Sequence, residues 1–209
     1  MQEANANHVL PEDFDWNDIY TGDADDFTPP DPLMLELASA LEPGHVLDVG
    51  CGAGGLLAAL GRAGWTLHGI DLAPKAIEAA AEVLASRGLD AELVTADATS
   101  WIAPRQYDLV TNSFALPMKR AEQLEVYAKM RAALAPGGTI ILKDFDRQMS
   151  RFPAFAGIDM IDTEDLLAAF EGFEILRCEV VPTPAHDHGQ ADYGEAAWTA
   201  ALLVARAPA

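Results

Sequence analysis

Short apolar runs alternate with longer segments of helical spacing through the middle of the chain. The runs predict strands and the segments predict helices, because a buried strand is a continuous apolar stretch whereas a surface helix repeats every 3.6 residues. The predicted strands are 45–50, 66–71, 91–96, 107–112 and 138–143, and the predicted helices are 54–63, 74–87 and 119–134. This alternation predicts a doubly wound α/β fold with parallel strands and right-handed crossovers.

The C-terminal third changes this pattern. After a predicted helix near 163–171 come two strand-like runs, 173–181 and 196–205, and the loop between them has no helical spacing. Two successive strands without a crossover helix predict an antiparallel hairpin.

The N-terminal residues differ from the rest of the chain. They are acidic and irregular, yet they carry four aromatic side chains: Phe14, Trp16, Tyr20 and Phe27. Asp31 and Pro32 then open a predicted helix that runs to Leu41, since Asp is a good N-cap and Pro suits a first turn. We therefore expect an arm or lid over residues 1–30, part of which docks, followed by one domain over residues 31–209.

Composition narrows the function classes. The 209 residues carry a formal net charge of −20, which disfavours nucleic acid as a partner because phosphate binding depends on Lys and Arg. No apolar run reaches the roughly 18–20 residues of a membrane span, and no basic and apolar leader is visible at the start. With only Cys51 and Cys178, the chain fits a reducing compartment, so we expect a cytoplasmic protein without a membrane partner.

The segment from Val46 to Gly55 carries the strongest chemical signal. An apolar strand leads into a loop with four glycines, so a ligand can approach bare backbone at the start of a helix. Glycines 50, 52 and 55 match the spacing of dinucleotide-binding enzymes, whereas Asp48 with glycines 50, 52 and 54 matches that of S-adenosylmethionine enzymes. Asp48 favours the second class, since a carboxylate repels a pyrophosphate but attracts a sulfonium and an ammonium.

Two further acids close the next strands. Asp71 ends the second strand, where one carboxylate suits two ribose hydroxyls; the alternative is a cap for the helix that begins at Pro74. Asp97 ends the third strand and could accept from an adenine amino group; the alternative is an ordinary turn residue. Ligands of open α/β sheets lie at these carboxyl ends, so the three acids should surround one site.

Together these motifs resemble the class I S-adenosylmethionine-dependent methyltransferases. The matching segments are Val46–Gly52, Gly69–Leu72, Asp97–Ala98, Tyr107–Asn112 and Leu134–Thr139. The resemblance implies S-adenosylmethionine as cofactor and a mostly parallel, Rossmann-like, seven-stranded sheet in the order 3-2-1-4-5-7-6, with strand 7 antiparallel. It implies a cofactor site formed by Asp48, Gly50, Gly52, Gly54, Asp71, Leu72, Asp97 and Ala98. We expect two further cofactor contacts: Asn112 at the end of the fourth strand, and Tyr20 in an arm that closes over the cofactor. The arm from Trp16 to Tyr20 is similar to that of small-molecule enzymes of the tellurite-resistance and thiopurine type.

Three segments should meet at the acceptor side, the region next to the cofactor where the methyl acceptor would bind, because each follows the carboxyl end of a strand. Asn112 could hold cofactor or substrate, and Phe114 could form a wall. Residues 144–162 could form an apolar acceptor pocket or merely cover the sheet. His186 and His188 are candidate general bases, with exposed loop histidines as the alternative, and no metal is expected because a third ligand is missing.

The sequence thus predicts an enzyme that transfers a methyl group in line from S-adenosylmethionine to a small-molecule acceptor. Two alternatives fit the same residues. One is a cofactor-binding sensor or partner protein without turnover, since intact binding acids do not prove catalysis. The other is an NAD-dependent dehydrogenase, which the glycine spacing and Asp71 would also suit.

Overall fold

The computed structural model contains seven strands and five α-helices in the residues that it describes, which are 15–115, 117–152, 155, 158–183 and 198–209. The strands are β1 (His45–Val49), β2 (Thr66–Asp71), β3 (Ala91–Thr95), β4 (Tyr107–Ser113), β5 (Leu134–Phe145), β6 (Glu174–Thr183) and β7 (Trp198–Arg206). The helices are α1 (Pro32–Ser39), α2 (Gly55–Arg62), α3 (Pro74–Ala85), α4 (Arg120–Ala133) and α5 (Thr163–Ala169).

All seven strands form one sheet in the order β3-β2-β1-β4-β5-β7-β6. The strands from β3 to β5 pair in parallel, whereas β7 is antiparallel to both β5 and β6. The predicted order and the predicted antiparallel hairpin are confirmed. The carboxyl ends of β1, β2, β4 and β5 therefore lie along one edge of the sheet.

Helices cover the two faces of the sheet as the apolar pattern requires. Helices α1, α2 and α3 pack on one face, where they share a buried cluster with Ile141 of β5. Helices α4 and α5 pack on the other face with Ile140 and Leu142. Because successive residues of a strand point to opposite faces, the apolar run of β5 serves both cores. In the part of the chain that the structure describes, no helix is long and apolar enough to cross a membrane.

Strand β5 begins earlier than its apolar run predicts. The sequence indicates a strand at 138–143, but Leu134 already pairs with Tyr107, and the register then shifts before Thr139 pairs with Leu109. The intervening Gly137 has φ of 74°, and its N–H donates to the carbonyl of Pro208. The Pro-Gly-Gly turn is therefore an irregularity inside a long strand pair rather than a separate connection.

The described part of the arm lies against α3 and the start of α2. Asn17 Oδ1 accepts from the N–H of Lys75 at 2.9 Å, at the helix start where Ala73 provides no side-chain cap. The guanidinium of Arg87 lies 4.3 Å from the ring centre of Phe27. Where the arm passes α2, a Cβ at Gly55 would overlap the carbonyl oxygen of Thr28, so glycine permits the close approach.

Candidate active site

The glycine loop lies at the carboxyl end of β1 and leads directly into α2. The N–H groups of Gly50 and Cys51 both donate to the carbonyl of Ile70, at 2.8 and 3.0 Å, which ties the loop to the end of β2. Gly50 has φ of 75°, and a Cβ there would collide with Ala115 in the segment after β4. The loop thus brings together the ends of three neighbouring strands.

Asp71 connects this loop with the start of α3. Its Oδ2 accepts from the N–H of Gly52 at 2.9 Å, and its Oδ1 accepts from the N–H of Ala73 at 2.9 Å. Burial raises the pKa of the Asp71 carboxyl, although these N–H groups favour the ionised form. Asp71 therefore organises the backbone around the site, and part of its role is the helix-start contact that the sequence offered as the alternative.

Asp48 is a buried acid directly before the loop. It is 4% exposed, and the hydroxyl of Thr111 on β4 donates to its Oδ1 at 2.7 Å. Burial raises the pKa of Asp48 to about 7, and the negative charge of Asp71 adds to this, while the Thr111 hydroxyl acts in the opposite direction. A nearby cation would favour the ionised carboxylate, whereas a phosphate would oppose it.

Tyr20 of the arm lies over the same loop. A Cβ at Gly52 would come within 3.1 Å of the Tyr20 hydroxyl oxygen, so the phenol is close to bare backbone. Burial, followed by the charge of Asp71, raises the pKa of Tyr20 well above its usual range. The phenol is therefore neutral at physiological pH and can donate a hydrogen bond.

Asn112 at the end of β4 carries a buried acceptor. Its Nδ2 donates to the carbonyl of Val49 at 2.8 Å, which fixes the amide beside β1. Its Oδ1 is buried and accepts from no group among the described residues. An unpaired buried oxygen is costly, so this position fits a ligand that brings a donor.

Asp97 follows β3 and makes a local turn. Its Oδ1 accepts from both the N–H and the hydroxyl of Thr99, at 2.8 and 2.7 Å, as expected of a turn residue. Nearby, Leu72 is an exposed apolar side chain directly after Asp71, with 57% of its surface accessible. Ala98 is half-buried against the core beneath α4.

Aromatic residues cluster at the carboxyl ends of β4 and β5, where the sequence predicts the acceptor site. The ring of Phe145 lies 4.7 Å from Phe114, 4.9 Å from Phe155 and 5.6 Å from Trp198. Met149 and Met160 are buried in the same cluster. This packing favours the covering role for much of segment 144–162, although Phe114, Phe145 and Phe155 stay partly exposed.

An ion pair that the sequence did not predict lies beneath these rings. Lys143 of β5 and Asp31 at the N-cap of α1 form a salt bridge with side chains 1% and 8% exposed. Burial raises the pKa of Asp31, but the hydrogen bonds from Lys143 and from the α1 backbone outweigh it and leave that pKa below its usual range. The only signal in the sequence is a lysine within the apolar run of β5.

The remaining candidates from the sequence are the two loop histidines, Cys51 and a metal site. His186 and His188 lie outside the described residues, so their catalytic role stays a prediction. Burial raises the pKa of the Cys51 thiol well above its usual range, which argues against a nucleophile. Among the residues that the structure describes, no group of three or more His, Cys, Asp or Glu side chains could hold a metal ion.

Comparison with known proteins identifies the class. Residues 46–138 match the family described as Methyltransferase domain. The ubiquinone biosynthesis O-methyltransferase of Thiobacillus denitrificans is 35% identical over 168 residues, which cover 76% of this chain and 64% of the relative. With the sheet order above, these matches place the chain in the class I S-adenosylmethionine-dependent methyltransferase superfamily, whose cofactor is S-adenosylmethionine.

Two other proteins show how far the similarity extends. The ribosomal RNA small subunit methyltransferase C of Alcanivorax borkumensis is 36% identical over 104 residues, which cover 48% of this chain and 32% of that protein. The solved structure of TehB from Haemophilus influenzae superposes with a TM-score of 0.72 at 16% identity, covering 87% of this chain and 63% of that one. TehB therefore supports a common fold alone. The chain spans about a third to two thirds of the length of these curated relatives.

Proposed function

We propose that this protein transfers a methyl group from S-adenosylmethionine to a small-molecule acceptor. The observation that carries the proposal is the pair of buried or half-buried carboxyl groups, Asp48 and Asp71, on either side of the glycine loop. The two acids suit a cationic ligand, and Asp48, directly before the loop, opposes the pyrophosphate of a dinucleotide. Asp48 therefore argues against the NAD-dependent alternative, which Asp71 by itself would also suit.

When bound, the cofactor supplies an electrophilic methyl group on a positively charged sulfur. In our proposal the glycine loop and Asp48 receive its amino-acid end, and Asn112 Oδ1 accepts from a donor of that end. Each Asp71 oxygen accepts one backbone N–H, and a carboxylate oxygen offers two acceptor positions, so both oxygens can still bind ribose hydroxyls. Leu72, Asp97 and Ala98 would surround the adenine.

The chain contributes alignment and exclusion of water rather than covalent chemistry. Tyr20 and the arm would close over the loop as a lid, because the arm already contacts Gly52, Gly55 and α3. The partly exposed rings of Phe114, Phe145 and Phe155 provide an apolar surface for the acceptor at the adjacent strand ends. A small, partly apolar acceptor fits this surface best.

Nucleic acid is the weaker acceptor class despite the ribosomal RNA relative. Binding RNA requires cationic side chains that neutralise phosphates, and this chain carries 33 acids against 13 Lys and Arg.

We propose His186 or His188 as the general base for acceptors of high pKa, such as phenols or thiols. Replacing each with Gln should then reduce transfer to such acceptors and leave cofactor affinity unchanged.

Two measurements test the proposal on the full-length protein. Thermal stability is measured with S-adenosylmethionine, S-adenosylhomocysteine or NAD, and transfer of a labelled methyl group is measured with small phenols, thiols and amines and with ribosomal RNA. We expect stabilisation by the first two ligands and labelling of a small molecule. Stabilisation by NAD alone would favour the dehydrogenase, binding without transfer would favour the sensor, and labelling of RNA would overturn the acceptor class.

A matched pair of variants separates binding from general charge effects. Asp71→Asn should abolish most of the stabilisation by S-adenosylmethionine, because the amide keeps only one acceptor oxygen for both the ribose and the backbone N–H groups. Glu174→Gln removes one acid at the opposite end of the sheet, where Glu174 pairs with Arg206 in an exposed ion pair. This control should respond to the cofactor as the unchanged protein does.

A further inference from the structure

Lys143 occupies a position where an apolar residue is expected. It lies in the central strand β5, paired laterally with Ser113 of β4 and Leu202 of β7, and its side chain is 1% exposed. Ile141, two residues earlier and therefore on the same face of β5, belongs to the apolar core. A buried ion pair is seldom more stable than an apolar pair of similar volume, so stability alone does not explain the lysine.

The partner of Lys143 belongs to the start of α1. Asp31 Oδ2 accepts from Lys143 Nζ, and its Oδ1 accepts from the N–H groups of Leu33 and Met34, at 2.9 and 3.1 Å. One carboxylate therefore joins the helix that follows the arm to the strand beside the acceptor side. The two residues are 112 positions apart in sequence.

Lys143 also contacts Phe114 in two ways. The N–H of Phe114 donates to the Lys143 carbonyl at 2.9 Å, and Lys143 Nζ lies 5.3 Å from the centre of the Phe114 ring. Phe114 has φ of 55°, and it is the one residue other than glycine with positive φ in the described part of the chain. A phenylalanine in this left-handed region is strained, so the surrounding contacts must hold it there.

Phe114 lies between the glycine loop and the aromatic cluster of the acceptor side. It follows Asn112 and Ser113 at the end of β4, and Ala115, the next residue, packs against Gly50 of the glycine loop. Its ring faces Phe145 of the acceptor-side cluster. Phe114 therefore separates the cofactor loop from the acceptor side.

We propose that the Asp31–Lys143 ion pair is a positioning element that holds Phe114 in its left-handed conformation between the cofactor and acceptor sides. The ammonium attracts the face of the ring while the Lys143 carbonyl fixes the backbone N–H, and Asp31 holds the ammonium in place. This role goes beyond the proposed function. It requires the cofactor site at the glycine loop but not a particular acceptor.

Three variants separate this role from a purely structural tie. Lys143→Met and Asp31→Asn each leave one charge buried without its partner, so both should unfold at lower temperature than the unchanged protein. The double variant D31N/K143M removes both charges, and Asn is still a good N-cap for α1, so its stability should return towards that of the unchanged protein. Ile140→Val is the control, because Ile140 lies on the opposite face of β5 and its truncation mildly destabilises the core.

The first measurement is hydrogen exchange of backbone N–H groups in the protein without ligand. In the double variant, the Phe114 N–H should lose about tenfold or more of its protection relative to the N–H groups of β1, because the residue leaves its strained conformation. In Ile140→Val this ratio should not change. An unchanged ratio in the double variant would overturn the proposal.

The second measurement is affinity for S-adenosylhomocysteine by calorimetry. The double variant should bind roughly 5- to 30-fold more weakly than the unchanged protein, since binding must then restore the left-handed Phe114. If the double variant regained both stability and affinity, the ion pair would contribute only to stability, and the proposal would be refuted. If the unchanged protein took up no ligand, the proposed function would fall, while the exchange ratio would still decide whether the pair holds Phe114.

Discussion

Asp48 should make both stability and cofactor affinity depend on pH. Its pKa in the folded protein is about 7, against an ordinary value of 3.8. Because the folded pKa is raised, Asp48 favours the folded state at low pH, and that contribution is lost as the pH rises through 7. A cationic ligand beside the carboxylate favours the ionised form, so binding should release a proton where Asp48 is still protonated.

The magnitudes follow from these two pKa values. Between pH 5 and pH 8 the contribution of Asp48 to the free energy of unfolding should fall by roughly 2–3 kcal/mol, which corresponds to about 5–10 °C for a chain of this size. At pH 6 about nine tenths of the Asp48 carboxyls are protonated, so each binding event should release up to about 0.9 proton. The dissociation constant of S-adenosylmethionine should then fall at most about tenfold from pH 6 to pH 8.

Asp48→Asn supplies the comparison, since it keeps the shape of the side chain but cannot ionise. Calorimetry at pH 6 in two buffers of different ionisation enthalpy gives the number of protons released, and thermal unfolding from pH 5 to pH 8 gives the stability. Any proton that the amino group of the cofactor releases or takes up is the same for both proteins, so it cancels when they are compared. Equal proton release by the two proteins, or parallel stability profiles, would refute a protonated Asp48 beside the cofactor.

The remaining predictions concern the loop and the arm. Gly50→Ala should lower the free energy of unfolding, measured in urea, by about 3 kcal/mol or more, because the added Cβ meets Ala115. Gly88→Ala is the control: Gly88 also has positive φ, but no atom lies within 4 Å of the added Cβ, so the loss should be about 1 kcal/mol. Asn17→Ala should cost about 1 kcal/mol by removing the cap on Lys75, and little change in exchange at the start of α3 would contradict this. Deleting residues 1–28 should weaken S-adenosylhomocysteine binding in calorimetry, and unchanged affinity would exclude the lid.

The parallel part of the sheet and the C-terminal hairpin could be predicted because they depend on local signals, whereas the strand order was implied by the resemblance to the methyltransferase family. Most strands of the parallel part are short apolar runs, and a helix between two such runs dictates a right-handed crossover. The loop without helical spacing before β7 likewise required an antiparallel partner. The start of β5 was predicted four residues late, because Pro136 and the glycines after it resemble a turn although Leu134 already pairs with Tyr107.

The polar ties around the site could not be predicted in the same way. Asn17 and Lys75 are 58 residues apart, and Asp31 and Lys143 are 112 residues apart. Periodicity describes which residues share a face of one element, but it carries no information about which distant polar group completes a contact. A lysine inside the apolar run of β5 indicates that a partner is required, but not which residue supplies it.

Asp71 shows why a structural role and the proposed ribose contact need not compete. The sequence offered a ribose contact or a helix-start contact, and the structure has Oδ1 accepting from Ala73 and Oδ2 from Gly52. Both bonds come from backbone, so they fix the direction of the carboxylate before any ligand binds, and each oxygen keeps a second acceptor position. The binding free energy of the ribose is then not reduced by the cost of ordering the side chain. A residue that first organises the loop is therefore better suited to bind the cofactor than a freely rotating acid at the same position.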